Sequence, residues 1–131
     1  MSLPLWCLFI AALLLVATKA PVAVAMAREG KKGYDNRHPR AQQAALSGWG
    51  ARAMAAHANH FEAFPVFAAG VLVAQVTGST GALINLLAVL FILARIGYTV
   101  LYIKDVHLMR SVVWGVGFIS SVLLLLSPLL S

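Results

Sequence analysis

Arg52, Asn59 and Glu62 recur at spacings of seven and three. At about 100° per residue they fall within roughly 80° of one helix face. Arg95, Tyr98 and Tyr102 recur at three and four, again on one helix face. Both sets sit inside apolar stretches, where a charged side chain costs about 2.5–3.5 kcal/mol on insertion scales. Charges that persist there face protein and find partners. Glu62 lies ten residues beyond Arg52, about 15 Å along a helix, and Arg95 lies nine residues before Lys104, about 13 Å. Opposite charges at matched depth predict a Glu62–Arg95 pair within the bundle. The plain structural role of such a pair is to fix how two helices pack.

Arg110, Ser111 and Trp114 open the last apolar segment. Snorkelling of the arginine and interfacial anchoring of the tryptophan would account for them. The chemical alternative places Arg110 and Ser111 at a helix N-terminus, whose free N–H groups and positive potential suit an anion or a thiolate. Ser111 could then donate a hydrogen bond to sulfur or to a substrate oxygen. His57 and His60 are three apart, but Glu62 projects to another side of the helix. Zinc asks for three or four converging ligands, so no metal site is expected. Cys7 is the only cysteine, which excludes an internal disulfide and a cysteine-built zinc site.

The elements that must carry these residues are apolar helices. Of 131 residues, 61% are hydrophobic and 11% charged, against roughly 25% charged in soluble proteins. So small a globule could not hide that much apolar surface. Four segments of about 20 residues, the length of a membrane span, use up the chain: about 3–27, 50–76, 82–103 and 110–130. The reading is a single all-α membrane domain over residues 1–131, a bundle of four transmembrane helices. Lys19 and Pro21 interrupt the first segment and predict a kink in its second half. A cleavable signal peptide competes for that segment, but the basic n-region is missing and Lys19 is badly placed. Arg28 to Trp49 reads as one long polar loop, Thr77 to Gly81 as a tight turn, and Lys104 to Met109 as a short loop.

The net charge of +6 does not point to nucleic acid, because the basic residues gather at helix ends and in one loop. The first loop holds five of them and the second none, while Lys104 and Arg110 bracket the third. That bias places loops one and three in the cytoplasm and both termini on the opposite side. The small-residue face of the second segment, including Ala51, Ala55, Ala58 and Ala69, suits close helix contact between subunits.

The run from Arg52 through Ala-Met-Ala-Ala-His-Ala to Asn59-His-Phe-Glu62-Ala-Phe64-Pro65-Val-Phe67 resembles the second-helix signature of the MAPEG superfamily, the membrane-associated proteins of eicosanoid and glutathione metabolism. Arg95, Tyr98 and Tyr102 resemble its third-helix pattern, and Arg110-Ser111 resembles the arginine-serine pair that opens the fourth helix in the family's prostaglandin-E synthases. The loop from Tyr34 to Arg40 is similar to an uncharacterised bacterial branch. The resemblance implies a homotrimer with glutathione sites between subunits, open toward the cytoplasm. It implies that Arg52, Asn59, Glu62, Arg95, Tyr98 and Tyr102 line the glutathione site, with Arg110 stabilising the thiolate and Ser111 beside it. One departure stands out: family enzymes commonly carry a second arginine one turn after the position of Arg52, and this chain has Ala55. Arg37 or Arg40 could fold in from the loop in its place.

Three functions compete. The first is a glutathione-dependent transferase or peroxidase acting on a lipophilic electrophile. The second is a non-catalytic membrane protein that binds an anionic lipid or a thiol in the same intersubunit cleft. A small transporter is disfavoured, because its polar site would lie near the bilayer midplane, whereas these residues gather toward one end.

Overall fold

A computed structural model describes residues 1–131, and every regular element in it is helical. In chain order these are α1 (Leu3–Ala17), α2 (Lys19–Glu29), α3 (Pro39–Ala44), α4 (Gly48–Val76), α5 (Ala82–Ile103) and α6 (His107–Leu125), followed by a 3-10 turn at Ser127–Leu129. The stretch Leu3–Glu29, α5 and α6 are each long and apolar enough to cross a membrane. At 29 residues α4 is the longest helix, but its first half is polar. It packs against every other long helix and forms the axis of the bundle.

Side-chain size dictates the core. Phe67 of α4 and Phe91 of α5 stack with centroids 3.8 Å apart and planes within 4°. Both are buried, with Val71, Leu87 and Leu124 around them. At Gly70 a Cβ would stand 2.8 Å from Leu124 Cβ and 2.9 Å from Ser121 O. Only glycine lets α6 approach α4 this closely, and in lipid such close backbone packing replaces the hydrophobic force.

The first segment breaks at Thr18, between α1 and α2. Pro21 explains it. The ring has no N–H for Ala17 O and collides with that carbonyl, three residues past the break. The segment also runs on to Glu29, beyond the expected end.

The expected polar loop is instead an ordered connection built around α3. Pro39 occupies the first turn, where its missing N–H costs nothing. Asp35 Oδ1 accepts the backbone N–H groups of Arg37 (3.0 Å) and His38 (2.9 Å). The Gln42 side chain accepts from Asp35 N–H and donates to Met26 O and Gly33 O, which pins the turn to the end of α2. Glu29 accepts both the N–H (3.1 Å) and the hydroxyl (2.8 Å) of Ser47, fixing where α4 begins.

The last helix starts at His107, three residues before the expected Arg110. Asp105 takes the left-handed conformation (φ 62°), and Val106 N–H closes on Leu101 O at 2.9 Å. Aspartate tolerates that backbone better than most residues. The turn reverses the chain within Lys104–Val106 and brings the start of α6 back beside the end of α5.

Candidate functional site

α4, α5 and α6 enclose a cavity of about 220 Å³ whose lining includes Asn59, Glu62, Arg95, Trp114, Phe118 and Ser121. The three helices contribute polar groups on one side and aromatic rings on the other. Trp114 and Phe118, one turn apart on α6, stack with centroids 5.2 Å apart and planes within 5°. From the sequence Trp114 reads only as a membrane anchor. Its i,i+4 spacing to Phe118 was the available sign of a shared aromatic face.

Arg95 is 3% exposed. Its Nε donates to His60 Nδ1 at 3.3 Å, and His60 Nε2 lies 2.9 Å from Ala11 O. A guanidinium only donates, so Nδ1 must be the acceptor and Nε2 carries the hydrogen. The resulting relay, Arg95 to His60 to the α1 backbone, ties three helices together. The expected Glu62–Arg95 ion pair does not form. The only contact of carboxylate and basic side chain within 4 Å is His38 Nδ1 to Asp35 Oδ2, at 3.8 Å. Helix geometry gives the reason. His60 and Glu62 are two residues apart and project roughly 160° apart, so a guanidinium anchored on His60 is turned from the carboxylate. Glu62 shares the cavity with Arg95 as an exposed, unpaired acid.

A ladder of cations and rings runs from Arg95 toward the helix ends. The Arg95 guanidinium carbon stands 4.4 Å from the Tyr98 ring centre. Tyr98 meets Tyr102 edge-on at 5.6 Å, and Arg110 stands 4.3 Å over Tyr102. Each cation–ring contact of this kind contributes about 0.5–2 kcal/mol, the larger value where water is excluded. The tight α5–α6 turn is what lets Arg110 reach back over Tyr102.

Three expected site residues have other engagements. Arg52 donates from Nε to Ile103 O at 3.1 Å, capping the end of α5. Arg110 is not at a helix N-terminus, since its N–H already bonds Val106 O at 3.1 Å. Ser111 does not line the cavity. It sits one turn above Trp114, and its hydroxyl donates to His107 O at 3.1 Å, so its proton is not free for sulfur. The two loop arginines also go elsewhere. Arg37 sits in the loop beside Lys31 and Lys32, and Arg40 faces Lys19 and His57.

Two buried polar atoms on cavity residues have no partner: Asn59 Oδ1, an acceptor, and Arg95 Nη2, a donor. Buried groups of this kind cost about 1–3 kcal/mol each when left unpaired. A bound water or a polar ligand would satisfy them.

The MAPEG family model matches residues 3–130 of the chain. No curated protein and no solved structure matches it.

Proposed function

The chain belongs to the MAPEG family and is an integral membrane protein; from this we propose that it is a glutathione-dependent transferase or peroxidase acting on a lipophilic electrophile. The pair of unpartnered buried atoms carries this reading. Asn59 Oδ1 accepts, Arg95 Nη2 donates, and the Glu62 carboxylate is free. That set complements a small peptide bearing an ammonium, amide N–H groups and carboxylates, which is the functional-group set of glutathione. When bound, glutathione supplies a thiolate, a strong nucleophile and a two-electron reductant.

The chain's own residues divide the remaining work. Asn59, Glu62 and Arg95 bind and orient. Tyr98 and Tyr102 form an aromatic wall and hold Arg95 and Arg110 in place. Arg110 supplies positive charge beside Tyr102, where negative charge on sulfur would be stabilised. Because α6 begins a turn earlier than expected, that stabilisation falls to the guanidinium rather than to helix N–H groups. Trp114 and Phe118 give the cavity an apolar wall, suited to an electrophile that partitions into the membrane.

A cavity of about 220 Å³ is smaller than the roughly 300–1,000 Å³ of most small-molecule sites. A second chain would complete it, which supports a homotrimer with the site between subunits. Ala51, Ala55, Ala58 and Ala69 are not buried within the chain and leave a small-residue face free for that contact. Calorimetry on the purified assembly should give saturable glutathione binding, followed by turnover of an aryl halide. The assembly's mass in detergent should be that of three chains. Absence of thiol binding would overturn the reading. Binding without turnover would leave a non-catalytic receptor, which the engaged Ser111 proton also favours.

The lysine and arginine bias further supports cytoplasmic loops one and three, with both termini opposite. In a Cys7→Ala background, Lys32→Cys should resist an impermeant thiol reagent added to intact cells. Labelling there would reverse the orientation.

A further inference from the structure

A second cavity, of about 330 Å³, opens between α2, α3 and α4 on a different face. Its lining includes Lys19, Arg40, Gln43, His57 and Phe61, together with Ala58 at the edge of the small-residue face proposed for subunit contact. On the α4 wheel its residues and those of the Asn59–Glu62 cavity point roughly 140° apart. We propose that this second cavity binds the phosphate of an anionic membrane phospholipid.

Charge is the first argument. Lys19 and Arg40 both face the cavity, no carboxylate lines it, and neither cation has an acid within 4 Å. Two cations brought together without a counter-ion at the edge of a membrane repel each other and attract an anion.

The second argument is independent of charge. Gln43 is 7% exposed, lines the cavity, and makes no side-chain hydrogen bond within the chain. Its amide atoms are not sealed off as Asn59 Oδ1 and Arg95 Nη2 are, so their hydrogen-bonding capacity is open to an occupant of the cavity. Beside it, the His57 ring is pinned through Nδ1 to Thr18 Oγ1 at 2.8 Å, which leaves Nε2 free. Thr18 gives its one hydroxyl proton to Leu14 O, 2.7 Å away, so His57 Nδ1–H donates to Thr18 and Nε2 stands as an acceptor for a head-group hydroxyl, such as those of a glycerol head.

Position decides between a lipid and a soluble anion. Lys19 follows directly on the apolar helix α1, and Phe61 opens the apolar half of α4 one turn beyond His57. The cavity therefore stands where polar helix ends meet apolar spans, the level at which phospholipid phosphates lie above their acyl chains. Phe61 is 52% exposed and would lie along an acyl chain. The volume suits a glycerophosphate head, with the chains remaining in the bilayer.

This inference does not rest on the glutathione reading, and native mass spectrometry of the full-length protein in detergent separates the two. Phosphatidylglycerol should be retained over phosphatidylcholine. The double variant Lys19→Met/Arg40→Gln should reduce that preference on the order of ten- to thirtyfold, the effect of two membrane-surface cations. Gln43→Glu, nearly the same shape, should abolish it while leaving assembly mass and melting unchanged. Equal retention of both lipids by the parent, or an unchanged preference in both variants, would overturn the proposal. So would tight binding of inorganic phosphate or glycerol 3-phosphate that phosphatidylglycerol fails to displace, since the occupant would then be soluble. Displacement of phosphatidylglycerol by glutathione would assign the cavity to the thiol site and likewise overturn it. Lipid preference in a protein that binds no glutathione would uphold it while sinking the transferase.

Discussion

Replacing His60 with leucine is expected to destabilise the bundle by about 3–5 kcal/mol, the cost of leaving a buried charge without its partner. The substitution keeps the volume and removes both ends of the relay. Arg95, at 3% exposure, loses the acceptor for Nε while Nη2 is already unpaired. Ala11 O loses its side-chain donor from α4. Removing both charged and polar partners should hurt far less than the sum of the single changes, because two apolar groups of similar shape leave nothing unsatisfied. Denaturation of the parent, His60→Leu, Arg95→Met and the double variant in mixed micelles forms the cycle that checks this. Additive losses would mean that His60 and Arg95 are not coupled.

Helix positions were legible because each apolar run in this chain is near the length of a membrane span. The first turn of α6 was hidden because His107, Leu108 and Met109 read as loop. What extends the helix through them is the left-handed turn at Asp105, a backbone conformation that residue type only weakly signals. The ordered loop was hidden for a similar reason. Its bonds run from Gln42 and Glu29 to backbone groups up to 18 residues away, and polar composition does not distinguish such a connection from a flexible one.

The site shows the same division. Residues on one helix face, such as Arg95, Tyr98 and Tyr102, were readable from spacing, because periodicity fixes which side chains share a side. Choosing partners between helices was not. Matched depth put Glu62 and Arg95 at the same level but carried no information about rotation. His60 lay at nearly that depth too, on the face that turned inward. A buried histidine beside an arginine looks unfavourable in sequence. It becomes favourable once the imidazole is neutral and its second nitrogen donates to the α1 carbonyl.

Arg110→Ala is expected to leave the fold intact and to lower turnover by about ten- to a hundredfold. The guanidinium is half-exposed, makes no hydrogen bond within the chain, and contacts Tyr102 through its face. Losing it therefore costs the bundle about the value of one cation–ring contact, near 0.5–1 kcal/mol at a partly exposed site. A charge-assisted contact to a thiolate is worth more, on the order of 1.5–3 kcal/mol, and about 1.4 kcal/mol is tenfold in rate. The pH profile separates this role from a structural one. A thiol beside a cation ionises below its ordinary value near 8.5. Removing the cation raises the thiol pKa, so the rising limb of the rate profile should move toward alkaline pH. Arg110→Lys keeps the charge without the fork of donors, and should recover part of the rate and most of that shift. If Arg110→Ala binds glutathione and turns over as the parent does, with the same pH profile, Arg110 does not stabilise the thiolate. Arg95, the one cation that lines the cavity itself, would then be the remaining candidate.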